Sequence, residues 1–445
     1  MGIRKEARAL AAAAALGGAL AGPVDAETWR INAEGTGEAP TLQAAIDEAT
    51  SGDTIEMAPG IYRDTVVRDL DGSSAVAVAF LKRGVTIVGD EGPLATFIDG
   101  EEDHHCLAGE DLDHETKVRG VTLLHGDALD PASANGRAGG GMLLYDSSPE
   151  LEAIRFVGCN SLDGGGGLRV VGSWDGEQQL AVHDCAFIYC FSGGRGGGAE
   201  LIDLEAADVK YNTFAGNFSQ VRGGGLAVVG HRARVENNVW WLNCAHLEGG
   251  PIWCEDASVD AECNLFWQNF PEIDEDPLDC DVDVGGGDEP NTIADPLFCD
   301  PDAEDFTVHG QSPAAPKNSG KCGRIGAYLP ACGIAPRHLT SATALPAEES
   351  ERTATGGLEI RVSPNPARAE VHLVVSGEGA AAAAVEIFDV QGRRIRSLRR
   401  AGESSATALA WDGRDESGRR VVAGIYFARL TAGARSAIGR VVVRP

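Results

Sequence analysis

The chain has 445 residues, 58 of them glycine and only 6% aromatic. That composition favours short strands and tight turns over packed helices, and the length accommodates two or three domains. A formal net charge of −30 repels phosphate backbones and argues against nucleic acid as a partner.

Residues 1–26 carry Arg4, Lys5 and Arg8, an Ala/Leu/Gly run from Ala9 to Ala21, and the small-x-small exit Val24-Asp25-Ala26. This reads as a secretory signal peptide cleaved near Ala26. Its apolar run, about 13 residues, is shorter than the roughly 20 that a membrane span needs. No later segment is apolar enough to cross a bilayer, so there is no transmembrane segment to predict. The expected location is secreted or on the outer cell surface.

Residues 41–49, from Thr41 to Ala49, form a short amphipathic helix with Leu42, Ala45, Ile46 and Ala49 on one face. A solenoid needs its first coil covered, and such a helix can cap it. Brief strands broken by turns follow within Gly52–Met57, Pro59–Tyr62 and Gly84–Gly89.

The middle of the chain repeats. Glycine clusters precede Met142, Leu168, Ala199, Leu226 and Ile252, separated by 26, 31, 27 and 26 residues. A second mark, Phe156, Phe187, Phe214, Trp240 and Phe266, steps by 31, 27, 26 and 26. Two residues before these aromatics stand Ile154, Cys185, Asn212, Asn238 and Asn264; three after them stand Cys159, Cys190, Asn217, Asn243 and Asn269. A unit of about 26 residues cannot bury its apolar face alone, and stacked units superpose equivalent stations at about 4.8 Å. The aromatics then fill the interior and the asparagines form ladders. The cysteines at the asparagine stations are either small buried residues or a cross-coil disulfide. The 31-residue step accommodates a loop at residues 173–177.

All eleven cysteines lie between Cys106 and Cys332. No Cys-x-x-Cys pair occurs, which removes zinc-ribbon and thioredoxin-like sites. In an exported chain disulfides are expected. The nearest pairs are Cys254 with Cys263, Cys280 with Cys299 and Cys322 with Cys332, and the odd count leaves at least one thiol unpaired.

Charge divides the chain. Residues 27–337 hold 53 acidic and 19 basic residues, whereas residues 358–445 hold 9 acidic and 14 basic, all arginine. Residues 336–357 read as a linker. Beyond it, alternating strands over 358–362, 371–375, 385–389, 407–411, 424–430 and 438–443 suggest an immunoglobulin-like sandwich.

The run "TLQAAIDEATSGDTIEMAPGIYRD", with "GVTIVGDEG" and "TFIDG", resembles the opening of right-handed parallel β-helix proteins of the pectin-lyase-like superfamily. The phased glycine and Phe-x-x-Asn marks resemble repeats of bacterial surface proteins of the polymorphic outer-membrane type. "ADPLFCDPDAEDFTVHGQSPA" with "CGRIGAY" resembles the closing turn of such helices. In the tail, "SPNPARAEVHLVV", "VEIFDVQGRRIRSL" and "WDGRDESGRRVVAGIYFARL" resemble the C-terminal sorting domain of type IX secretion and the Ig-like domain of flagellar hook-capping (FlgD-like) proteins. These likenesses imply a right-handed β-helix over 27–335 and an Ig-like domain over 358–445. They also imply an outer-membrane secretion machinery as partner.

The superfamily contains lyases, hydrolases and proteins without catalysis, so the fold does not assign an activity. Lyases of this kind use an Arg or Lys base with calcium-binding carboxylates, and hydrolases use paired acids. The candidates here are Asp103, His104 and His105, followed by Asp111, Asp113, His114 and Glu115, with His183, Arg195 and Arg222 in the repeats. The Trp-x-Asp-His and Arg-x-Pro-x-x-Arg signatures of pectate lyases are absent, and Asp103–His105 read as a solvated turn. Asp274, Asp276, Asp281 and Asp283 are alternating carboxylates that calcium could bridge, without the Gly-centred twelve-residue loop of an EF-hand. Trp174, Trp241 and Trp267 are candidates for stacking on sugars. The expectation is a non-catalytic surface protein that binds extracellular polysaccharide or serves an adhesive role, with a polysaccharide lyase or glycoside hydrolase as the alternative.

Overall fold

The computed structural model describes residues 26–128, 138–172, 179–245, 247–269, 278–279 and 291–332. In the tail it describes 359–363, 371–376, 384–389, 394–398, 408–421, 424–432 and 435–443. Among the described residues strands dominate, with a single α-helix, and the body is a parallel β-solenoid of about 10 turns.

Each coil visits the same sheets in turn. The first sheet stacks nine strands from Thr28–Ile31 to Ser258–Glu262, and the second stacks nine from Gly60–Tyr62 to Thr292–Ile293. A short five-stranded sheet runs from Asp127–Ala128 to Cys244–Ala245. The third sheet begins with the antiparallel pair Val66–Leu70 and Ser73–Phe80, then continues in parallel through His105–Glu110 to Leu278–Asp279.

Register explains the interior. Phe156, Phe187, Phe214, Trp240 and Phe266 pair station to station on the second sheet. Their rings stack at 4.6, 4.5, 4.2 and 6.1 Å with interplanar angles of 5–10°. All five are buried, each worth roughly 2–3 kcal/mol by transfer. The glycine clusters are required by the same packing. Gly196 has φ +64°, and a Cβ on Gly197 would lie 2.4 Å from the Gly224 carbonyl oxygen of the next coil.

The asparagines form two ladders at the corners either side of the second sheet. In one, Asn212, Asn238 and Asn264 each donate Nδ2 to a carbonyl of the preceding coil, at Val182, Val209 and Val235, and to the Oδ1 of the next ladder residue. That ladder continues to Asn291. The other runs through Asn217, Asn243 and Asn269. Cys159, Cys185 and Cys190 are buried free thiols at these stations, not a cross-coil disulfide.

Thr41 caps the helix Leu42–Glu48 by accepting from the Ala44 N–H at 3.1 Å. Buried Gln43 accepts from the Phe80 N–H at 2.6 Å, joining the helix to the third sheet.

Two expectations are corrected. The disulfides are Cys263–Cys322 and Cys299–Cys332, and Cys254 is oxidised as well, so none of the three sequence-nearest pairs forms. The stacked coils set this pairing, because partners in space lie far apart in sequence, 59 residues in the first case. Secondly, residues 297–332 do more than close the helix: they fold back as a strap across the outer face of the second sheet. Phe298, Phe306, Val308, Ala314 and Ile325 bury Ala186, Ile188, Ala215, Val239 and Leu265.

The strap is gripped at one corner station. Asp184, Tyr211, Asn237 and Cys263 all have φ of 56–58°, a conformation unfavourable for side chains with a Cβ. Each holds the strap: Asp184 pairs with Arg324, Tyr211 stacks under the Arg324 guanidinium at 4.6 Å, Asn237 donates to the Cys322 and Arg324 carbonyls, and Cys263 bonds Cys322.

In the tail, a three-stranded antiparallel sheet and a four-stranded sheet that includes Arg394–Leu398 contribute to one buried cluster around Leu373, Ile387, Trp411, Tyr426 and Leu430. The strand Arg394–Leu398 is additional to those read from sequence.

Candidate functional site

The strap covers the outer face of the second sheet over the coils from Arg155 to Leu265. The third sheet's outer face carries the densest chemistry. Its strands alternate, so Leu168, Val170, Ala199 and Leu201 point inward and the residues between them outward. In register, this places Leu143, Arg169, Glu200, Ala227 and Trp253 in one row. Arg195 and Arg222 come from the turn that opens each coil's glycine cluster.

These side chains form a lattice across successive coils. Glu200 is 1% exposed and lies between Arg169 Nη1 at 3.2 Å and Arg195 Nε at 3.0 Å. Burial raises its carboxyl pKa, opposed by the two guanidiniums. Arg195 also reaches Glu255 at 2.8 Å, and Arg222 pairs with Glu248 at 2.6 Å. Both guanidiniums lie over the Trp253 ring, at 5.4 and 5.2 Å from its centre, in cation–π range. Three arginines thus face three glutamates, held around one indole.

The corner from this face to the first sheet is a cavity of about 500 Å³ lined by His231, Cys254, Asp256, Ala257 and Ser258.

The sequence candidates separate in space. Asp103 is exposed on a turn, whereas His104 and His105 are buried instead of forming a solvated loop. The reason is that His105 begins a third-sheet strand, and its Nδ1 donates to the Gly139 carbonyl at 2.8 Å. Burial lowers the His105 pKa to about 4 and that of His104 in the same direction. Two third-sheet strands, Met142–Tyr145 and Leu168–Val171, stand between this strand and the one following Arg195. Asp103, His104 and His105 therefore do not meet Arg195 and Arg222. Asp113 accepts from Arg83 and Thr116 and fixes a turn. His183 is half-buried on the first sheet.

Trp241 is packed edge-on against Phe298 and Phe306, at 5.6 and 6.0 Å, beneath the strap. Half-buried against the strap, its ring is engaged by these two phenylalanines instead of standing as an open platform. Trp267 is half-buried in the next strand. Trp174 and Asp274, Asp276, Asp281 and Asp283 lie outside the described residues. Among the described residues no three His, Cys, Asp or Glu are grouped to hold a metal ion, and no helix is long and apolar enough to cross a membrane.

Sequence reasoning reached Arg195 and Arg222 but not Glu200, Trp253, Glu255 or His231. The usable signal was the charge exchange at one turn station, Arg195, Arg222 and Glu248, each directly before a glycine pair.

No family model matches the chain, and no curated protein matches it. Two solved structures from Porphyromonas gingivalis share short stretches. PorZ, described as an essential bacterial surface component of the type IX secretion system, is 27% identical over 19% of this chain and 11% of its own, with a TM-score of 0.16. Dimeric latent PorU is 21% identical over 19% of this chain and 9% of its own, with a TM-score of 0.17. The chain spans about a tenth of the length of each, and at these scores the likeness carries nothing about its fold or activity.

Proposed function

We propose that this is an exported, cell-surface solenoid that binds extracellular polysaccharide without cleaving it. The observation that carries the reading is the lattice on the third-sheet face. Arg169, Arg195 and Arg222 come from three successive coils, each with guanidinium donors beyond those held by its glutamate. The coil spacing of about 4.8 Å is close to the length of one sugar unit, so a linear glycan can meet equivalent polar groups coil after coil.

Other features support the setting. Oxidised cysteines at the C-terminal end of the solenoid suit an extracellular location. The helix at residues 42–48 acts as the cap of a right-handed β-helix of the pectin-lyase-like type. The arginine-rich tail serves as an Ig-like sorting or attachment domain, engaging an outer-membrane secretion machinery.

The test is retardation of the purified chain in gels containing acidic or neutral polysaccharides, with and without calcium, alongside assays for unsaturated products and new reducing ends. Retardation without product supports the reading. Product release would replace it with a lyase or hydrolase, and neither signal would leave an adhesive or structural role.

A further inference from the structure

The cavity at the corner between the third and first sheets is lined by His231, Cys254, Asp256, Ala257 and Ser258, and at about 500 Å³ it has the size of a small-ligand site. It lies beside the arginine lattice: Trp253 and Glu255 belong to the strand Ile252–Glu255 that leads into it.

Its chemistry is one-sided. His231 is 6% exposed, and its Nδ1 lies 2.9 Å from the Val229 carbonyl. A carbonyl only accepts, so Nδ1 carries the proton and Nε2 presents a lone pair. That Nε2 is buried and meets no donor among the described residues. Asp256 adds a carboxylate, and Ser258 a hydroxyl that can accept or donate. Asp203 of the preceding coil stands over Gly230, where an added Cβ would lie 2.1 Å from its Oδ1. Among the described residues no lysine or arginine lines the cavity.

We infer that this cavity is a subsite for a neutral, hydroxyl-bearing sugar unit. Sugar hydroxyls supply donors for His231 and Asp256 and can pair either way with Ser258, whereas a carboxylate or sulfate would be repelled by the Asp256 carboxylate. Burial keeps the His231 pKa below its ordinary value, which holds the imidazole in its accepting form. The site is rigid: Cys254 is oxidised, and the Ser258 N–H donates to the His231 carbonyl at 3.1 Å. The inference rests on the third-sheet face being a polysaccharide surface and adds the class of sugar.

The experiment is calorimetric titration of the full chain with neutral gluco-, manno-, xylo- and galacto-oligosaccharides and with an oligogalacturonate. Asp256→Asn, Ser258→Ala and His231→Ala are compared with Arg195→Ala. The expected result is binding of at least one neutral series, weakened about tenfold by Asp256→Asn and by His231→Ala. Asp256 and Ser258 are exposed, so their variants keep the test valid where His231→Ala disturbs folding. Neutral binding that Asp256→Asn and Ser258→Ala leave intact, while Arg195→Ala weakens it, would overturn the subsite and keep the surface. Binding of oligogalacturonate alone would overturn the sugar class. No binding of any saccharide would overturn both.

Discussion

Asn238 Oδ1 accepts two hydrogen bonds from Asn212, one from the backbone N–H at 2.8 Å and one from the side-chain amide at 3.1 Å. Its own Nδ2 donates to Val209 and Asn264. A single buried amide therefore satisfies polar groups in both neighbouring coils. Asn238→Ala leaves several of them unpaired, at about 1–3 kcal/mol each. We expect a loss of at least about 3 kcal/mol in urea denaturation, and a comparable loss for Asn238→Asp, which cannot donate to Val209. Asn291→Ala, at the half-buried end of the ladder, should cost about 1 kcal/mol. Equal effects at both positions would show that the ladder is not cooperative.

The strap depends on its covalent anchor. Cys263–Cys322 closes a separation of 59 residues, for which the chain-entropy model gives about 4 kcal/mol. The double variant Cys263→Ser/Cys322→Ser should be cut by protease within the strap while the coils remain protected. Non-reducing peptide mapping of the native chain should recover the 263–322 and 299–332 links. Recovery of a 254–263 or 322–332 link would contradict the register described above.

Thiol accessibility follows from the stacking. Cys106, Cys159, Cys185 and Cys190 are fully buried, and burial raises the Cys185 thiol pKa to about 12. Thiolate is the reactive form, so an alkylating reagent should leave these four unmodified in the native chain. In denaturant it should label all of them together with Cys244. Native labelling of any of the four at the denatured rate would mean that the coils open there.

Acid should weaken the fold through its histidines. His105 has a pKa of about 4 in the folded chain against 6.5 when free. Between those values the unfolded chain binds more protons. The stabilisation is therefore complete above pH 6.5 and is lost as pH falls toward 4, amounting to about 3 kcal/mol. His104 and His231 act in the same direction, while Glu200, whose pKa is raised, acts in the opposite one. Denaturation midpoints measured from pH 7 to 4.5 should fall, and His105→Asn should flatten the slope. A midpoint indifferent to pH would show that His105 titrates normally.

On the third-sheet face, Arg195→Ala removes one of the two partners of Glu200, the partner of Glu255 and one cover of Trp253. Polysaccharide retardation should drop several-fold, and further for Arg195→Ala/Arg222→Ala. Unchanged retardation in the double variant would move the binding surface elsewhere.

The coils were legible because the interior repeats residue types: aromatics and asparagines must superpose on their own kind to stack and bond. Asn291 escaped because its coil has Ile293 at the aromatic station, which removed the phasing mark. The strap was hidden for the opposite reason. Asp184, Tyr211, Asn237 and Cys263 share a backbone conformation but no side-chain chemistry, so the station has no sequence signature. Disulfide pairing was illegible because proximity follows coil stacking rather than chain distance. The face lattice was half-visible: Arg195 and Arg222 stand beside glycine marks, but Glu200 and Trp253 sit at outward positions where no residue type recurs.

The grip between the strap and the corner residues also makes the number of coils a measured quantity. Residues 322–324 reach from Cys263 back to Asp184, across four successive coils, and Glu304 extends the attachment to Arg155 at 3.7 Å. Deleting one 26-residue unit between Asp184 and Cys263 would preserve the frame of both ladders yet bring these anchors one rise closer than the strap's span. Adding a unit would separate them by the same amount. A solenoid can in principle grow or shrink by whole units, but this one carries its own ruler.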